Sequence, residues 1–221
     1  YNILPDQCGM ASCAKGALGC AMSTGVPVDQ VANGQTFLDL VLRNRFNQII
    51  LDRFCDFGFD DWWLTAGCLA QSVWNVSARR PAENEIADYD LFYCDSDTSW
   101  DAEDNVITAV ADLLSDLPIR IEVRNQARVP IWYRQKFGIE YGTVDAASDG
   151  IDRFAYRTTA IGLRKDADGY RLYAPFGLDA VLSGTIIPNP VLPIRQVYEA
   201  KTARWQSIWP DLRVMPWPDD A

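Results

Sequence analysis

From Thr36 to Phe57 the apolar residues recur at helical spacing. Leu38, Val41, Leu42, Phe46, Ile49, Ile50 and Phe54 share a face, and Thr36-Phe37-Leu38-Asp39 resembles a capping box, so one amphipathic helix is predicted there. The rhythm then shortens. Asp61-Trp62-Trp63-Leu64-Thr65 reads as an aromatic-rich strand running into Gly67, and Leu69 to Trp74 returns to helical spacing. In Ile86-Ala87-Asp88-Tyr89-Asp90-Leu91-Phe92-Tyr93 the polar and apolar positions alternate, which on a strand sends Asp88 and Asp90 to one face and Tyr89 and Leu91 to the other. Ile119 to Val123 is a second strand-like run with Glu122 between two apolar residues. An amphipathic helix is predicted from about Ala102 to Leu114, preceded by an acidic loop. Further on, Asp145 to Tyr156 reads as helical. Thr158 to Arg164 and Tyr170 to Ala174 read as a hairpin joined by Asp166-Ala167-Asp168-Gly169. Pro188-Asn189-Pro190 is a rigid break before a last helix, which packs Val197, Tyr198, Lys201, Arg204, Trp205 and Ile208 toward the core.

The boundaries follow from this pattern: an N-terminal extension over 1–35, a main domain over 36–214 and a short tail over 215–221. Within the extension, Cys8 to Val26 is apolar and about long enough to span a bilayer, but its glycines and Lys15 argue against a membrane segment, and it lacks the basic start of a secretory signal.

Composition narrows the chemistry. With 221 residues, 48% of them hydrophobic, and eight Trp, the chain has enough apolar material for a well-filled core. It contains no histidine, which removes Ser-His-Asp and Cys-His triads, HExxH zinc sites and imidazole acid–base catalysis. The formal charge of −10 disfavours a long nucleic-acid partner, whose phosphates need Lys and Arg. Six cysteines without a CxxC pair read as free, buried thiols of a cytoplasmic protein. The sequon at Asn75 reads as incidental because it falls in a predicted helix. Neither a Walker A loop nor a GxGxxG motif occurs.

What remains is carboxylate chemistry. If the strand bearing Glu122 pairs beside the one bearing Asp88 and Asp90, three carboxylates meet at one edge, where they repel unless a cation joins them; such oxygen donors suit Mg²⁺. Alternating acids on a solvated strand face are the plainer explanation. Upstream, Gly67 at a strand-to-helix turn would let backbone approach a ligand, and the helix start would favour an anion such as phosphate. Asp95 lies near enough in sequence to support the acids, whereas Asp97, Asp101, Glu103 and Asp104 read as helix-start capping and solvation. Arg124 and Arg128, directly after the second strand, either grip phosphate or pair with acids; for Arg124 pairing is favoured.

Gly67-Cys68, then Asp88-Tyr89-Asp90, then Glu122 resemble the core signature of the DNA polymerase β nucleotidyltransferase superfamily. The resemblance to a bacterial branch of compact, uncharacterised nucleotidyltransferase-like proteins extends in order through Trp62–Gly67, Asp88–Tyr93, Glu122–Arg128, Thr158–Gly162, Ala174–Leu178, Pro188–Pro190 and Lys201–Trp205. It implies an α+β fold, a polymerase-β-like core with a mixed sheet flanked by helices and further C-terminal strands and helix. It implies two Mg²⁺ ions, replaceable by Mn²⁺, held by Asp88, Asp90 and Glu122, and a nucleoside triphosphate met by Gly67, Cys68, Arg128 and Lys201. Nucleoside monophosphate would pass to an acceptor hydroxyl or amine that the resemblance leaves open. Superfamily members commonly have Ser or a second Gly where this chain has Cys68, whose thiol is a weak donor. Two alternatives stand beside transfer: a nucleotide-binding regulatory or partner protein of the same fold without turnover, and a metal-dependent phosphohydrolase.

Overall fold

The computed structural model describes residues 25–218. Along the chain lie β1 (Val26–Pro27), α1 (Gly34–Val41), α2 (Arg45–Phe54), β2 (Trp62–Thr65), α3 (Gly67–Ser77), β3 (Tyr89–Tyr93), α4 (Trp100–Leu113) and β4 (Ile121–Asn125). They are followed by α5 (Val129–Phe137), α6 (Ala147–Asp152), β5 (Gly162–Asp166), β6 (Gly169–Tyr173), α7 (Asp179–Leu182), β7 (Thr185–Ile186), α8 (Arg195–Ile208) and β8 (Arg213–Val214). Six strands form one mixed sheet in the order β1-β6-β5-β2-β3-β4, with β3 and β4 parallel and the other neighbours antiparallel. The mixed α+β architecture expected from the resemblance is present. The apolar stretch from Cys8 lies almost wholly outside the described residues, and among those described no helix is long and apolar enough to cross a membrane.

The predicted alternation of β3 is realised in its packing. Tyr89, Leu91 and Tyr93 are almost completely buried on one face, while Asp90 and Phe92 are part-exposed on the other. Burying a leucine such as Leu91 contributes roughly 1.5–3 kcal/mol, enough to hold the strand's register and with it the side to which Asp90 points.

Two expectations about helices need correction. The helix predicted from Thr36 to Phe57 is two helices, because Asn44 adopts extended backbone and caps α2, its side-chain oxygen accepting from the Phe46 N–H at 3.0 Å. Its amide also donates to Ser72 of α3 at 3.0 Å and Tyr89 of β3 at 3.1 Å. The break is a tertiary arrangement, so local periodicity did not reveal it. The helix predicted over Asp145–Tyr156 shrinks to α6, whose start is anchored by the buried Asp61 carboxylate accepting from the Ala147 N–H at 2.6 Å. Burial pushes the Asp61 carboxyl up to about 6.

The last helix docks through Tyr198 and Trp205, as anticipated, with Ile208 partly buried against the core, but not through Val197 or Arg204. Tyr198, Thr202 and Trp205 are buried, whereas Val197 and Arg204 are exposed. Trp74 of α3 meets Trp205 and Trp209 edge-on, with ring centroids 5.3 and 5.5 Å away. Asn75 is fully buried and donates to the carbonyls of Ala82 and Asn84, so the sequon is structural. Cys55 and Cys68 are free thiols, but Cys94 is disulfide-bonded. The expectation of free thiols fails at Cys94: an apolar strand context describes packing and does not decide oxidation state.

Candidate active site

Parallel pairing of β3 with β4 sets Asp90 opposite Glu122, and antiparallel pairing of β2 with β3 sets Thr65 opposite Asp90. Side chains at paired positions share a face, so Thr65, Asp90 and Glu122 form one row across the sheet, with Asp88 two residues before Asp90. The row faces a cleft of about 290 Å³ whose walls include Asp90, Glu122, Arg124, Arg153, Tyr156 and Lys201. Thr65 itself is buried and donates to the Ile161 carbonyl at 2.8 Å.

The electrostatics of the row centre on Asp90. Burial, followed by the charges of Asp88 and Glu122, pushes its carboxyl up to about 7, against the opposing pull of Lys201 and Arg124. These four charged groups therefore all bear on one carboxylate. Glu122 is ion-paired with Arg120, and its other oxygen lies 3.7 Å from the Arg124 guanidinium. Pairing of Arg124 with a site acid agrees with the sequence reading. Its position two residues after Glu122 on the same strand also places it on the cleft side.

At the other side of the row, β2 turns sharply into α3. The strained residue is Ala66, with φ 60° and ψ −113°, and not Gly67, which is the first helical residue. A non-glycine residue held in this region costs roughly 1–3 kcal/mol. No side chain caps α3, and Ala66 and Gly67 are part-exposed, leaving the first backbone N–H groups of the helix uncapped by any side chain. A Cβ at position 67 would lie 2.8 Å from the Gln71 amide nitrogen, the far end of a side chain that can shift.

Against this geometry, a family model described as nucleotidyltransferase matches residues 53–214. The chain belongs to this nucleotidyltransferase family. Among solved structures it is similar to a CCA-adding enzyme head domain determined by NMR, at 23% identity and a TM-score of 0.68, covering 86% of this chain and 100% of the other. That likeness establishes the polymerase-β-like fold. No curated protein sequence matches the chain. Family membership implies a nucleoside triphosphate substrate.

The predicted nucleotide contacts separate. Lys201 stands at the cleft, where its charge bears on Asp90. Cys68 is fully buried, its thiol held against the Thr65 carbonyl at 3.5 Å, and burial together with the charge of Asp90 pushes that thiol well up. Its side chain therefore packs beneath the acids and does not face a phosphate. Arg128 is also absent from the cleft walls: its guanidinium is ion-paired with Glu103 and lies over the Trp100 ring at 4.5 Å from the centroid. Glu103, read from sequence as a solvated helix-start acid, is buried and also accepts from the Asn125 N–H at 3.0 Å. Asp95 turns away as well, its carboxylate accepting from the Asp97 N–H at 2.8 Å. Arg153 and Tyr156 join the cleft from elements distant in sequence, with no local motif to mark them.

Asp88, Asp90 and Glu122 are the residues fit to hold a divalent cation by donor type: hard carboxylate oxygens, Asp90 on β3, Asp88 just before that strand begins and Glu122 in register with Asp90 on the parallel neighbour. Burial, and after it the charges of Asp88 and Glu122, raise Asp90, and a cation would relieve the part that comes from these charges. As the side chains stand, no three His, Cys, Asp or Glu among the described residues are gathered as a ligand group, and Glu122 is held by Arg120 and Arg124.

Proposed function

We propose that this chain is an Mg²⁺-dependent nucleotidyltransferase that moves a nucleoside monophosphate from a nucleoside triphosphate to an acceptor hydroxyl or amine. The observation that carries the reading is the register of Asp90 with Glu122 on parallel strands, with Asp88 bearing on the same carboxylate. Asp88, Asp90 and Glu122 would hold the metal, which when bound offsets charge on the polyphosphate and lowers the pKa of the acceptor hydroxyl. The uncapped start of α3 and Lys201 bind the phosphates, the first through backbone N–H groups and the second as a point charge. Arg124 offsets charge at the same cleft. The acceptor oxygen or nitrogen bonds to the α-phosphorus, the bond from that phosphorus to the bridging oxygen breaks, and pyrophosphate leaves with the electron pair. The acceptor's proton passes to Glu122.

A second reading is favoured by one observation, the engagement of Glu122 by Arg120 and Arg124: a protein that binds nucleotide in this cleft without turning it over. Calorimetric titration with Mg²⁺ and each nucleoside triphosphate, combined with pyrophosphate detection over a panel of alcohols, amines and small phosphates, separates the two. Transfer predicts pyrophosphate release that falls by on the order of a hundredfold or more in Asp90→Asn. Binding with no release from the wild type supports the silent protein, and release unaffected by the substitution removes Asp90 from the chemistry.

A further inference from the structure

Beside the cleft lies a larger groove of about 580 Å³, between α4 and α5, and the two share Arg124 and Trp132 as a common wall. Trp100, the first residue of α4, is 72% exposed there, an uncommon placement for so large an apolar ring. Its orientation is fixed from behind: the buried Arg128 guanidinium lies against the ring and is itself held by Glu103. Trp132 presents a second indole, with the Lys136 ammonium 5.6 Å from its ring centroid. Lys136 makes no ion pair among the described residues, in contrast to Arg134 on the same helix, which is 2.9 Å from Glu140. Setting aside the Glu103–Arg128 pair, the groove carries Lys136 and the Arg124 guanidinium, which also lies 3.7 Å from Glu122, with the carboxylate of Asp104. Lys136 is thus the groove cation that has no ion pair among the described residues.

We propose that this groove binds the acceptor, and that the acceptor is a small molecule combining a planar ring with an anionic group, a phosphate or carboxylate. The inference rests on the nucleotidyl-transfer reading and adds to it the class of acceptor. The exposed Trp100 indole and the half-buried Trp132 indole offer stacking surfaces for a planar ring, and Lys136 and Arg124 offer the counter-charge for an anion. The shared wall directs the ligand's reactive end toward Glu122, the residue assigned its proton.

Calorimetric titration of the full chain with uridine monophosphate, uridine and ribose 5-phosphate tests this in the wild type, Trp100→Ala and Lys136→Gln. Uridine monophosphate should bind the wild type more tightly than either fragment. Trp100→Ala should weaken it about tenfold, since base–aromatic stacking is lost, and Lys136→Gln should weaken uridine monophosphate while leaving uridine unchanged. Binding of Mg²⁺ and nucleoside triphosphate, measured separately, should be unaltered in both variants. No binding of the monophosphate, equal binding in Trp100→Ala, or binding of the monophosphate no tighter than of uridine or ribose 5-phosphate would overturn the assignment. Loss of triphosphate binding or of pyrophosphate release in the wild type strikes instead at the transfer reading, so the two failures are distinct. Because Trp100 is largely exposed, its variant is expected to fold, and circular dichroism checks that it has.

Discussion

The two ends of α3 are built on opposite terms. At its C-terminal end Trp74 meets two further tryptophans, the Trp74 indole N–H donates to Val181 at 3.2 Å, and Asn75 accepts from the Trp209 indole at 2.9 Å. At its N-terminal end, one helix length or roughly 16 Å away, a strained Ala66 precedes uncapped N–H groups, and the neighbouring acids repel one another. Apolar surface is buried and the Trp74 and Trp209 indoles are hydrogen-bonded at the end that anchors α8, with the buried Trp205 indole N–H left without a partner, while strain and like charge collect at the end beside Asp90. Stability drawn from the first end is what allows the second to persist.

Trp74→Ala gives the harshest test of this division. Truncating a buried tryptophan should cost roughly 3–5 kcal/mol in chemical denaturation, while pyrophosphate release per folded molecule stays near the wild-type value. A stable variant that has lost turnover would show that the ends are not separate. A smaller effect is expected from the charge of Asp90. The native carboxyl titrates at about 7, against roughly 4 in an unfolded chain. Between those values the native state holds the proton that the unfolded state has lost, so stability falls as pH rises through that window and levels off above it. Asp90→Asn should therefore melt like wild type near pH 4 and exceed it at pH 8 by on the order of 2–4 kcal/mol, with Mg²⁺ narrowing the gap by stabilising only the wild type. Parallel pH–melting curves for the two proteins would contradict the coupling of these acids. Smallest is Ala66→Gly, which relieves the left-handed backbone at some entropic cost and should raise the urea midpoint by about 0.5–1 kcal/mol equivalent; a loss of stability would mean that the turn is not strained.

The facing of Asp90 and Glu122 was legible because a strand's period of two is rigid and the pairing sets them opposite each other, whereas Asp88 precedes the strand and falls outside that rule. The same rule, applied two residues beyond Glu122, marks Arg124 as the cleft-facing arginine in preference to Arg128. What escaped depends on partners far along the chain. The break at Asn44 is made by Ser72 and Tyr89, and the removal of Arg128 from the phosphate side is made by Glu103. Gly67 did mark the turn into α3, but the left-handed backbone beside it belongs to alanine, a residue whose presence in that conformation no propensity would predict.

Glu103 has a consequence beyond fixing Arg128. The strand that carries Glu122 is the outermost of its sheet, and an outermost strand offers unpaired backbone to any other extended chain. By accepting from the Asn125 N–H, the Glu103 carboxylate occupies a position that a second chain would use to extend the sheet. A buried acid at the start of a helix thus covers part of the free backbone edge of the strand that carries Glu122.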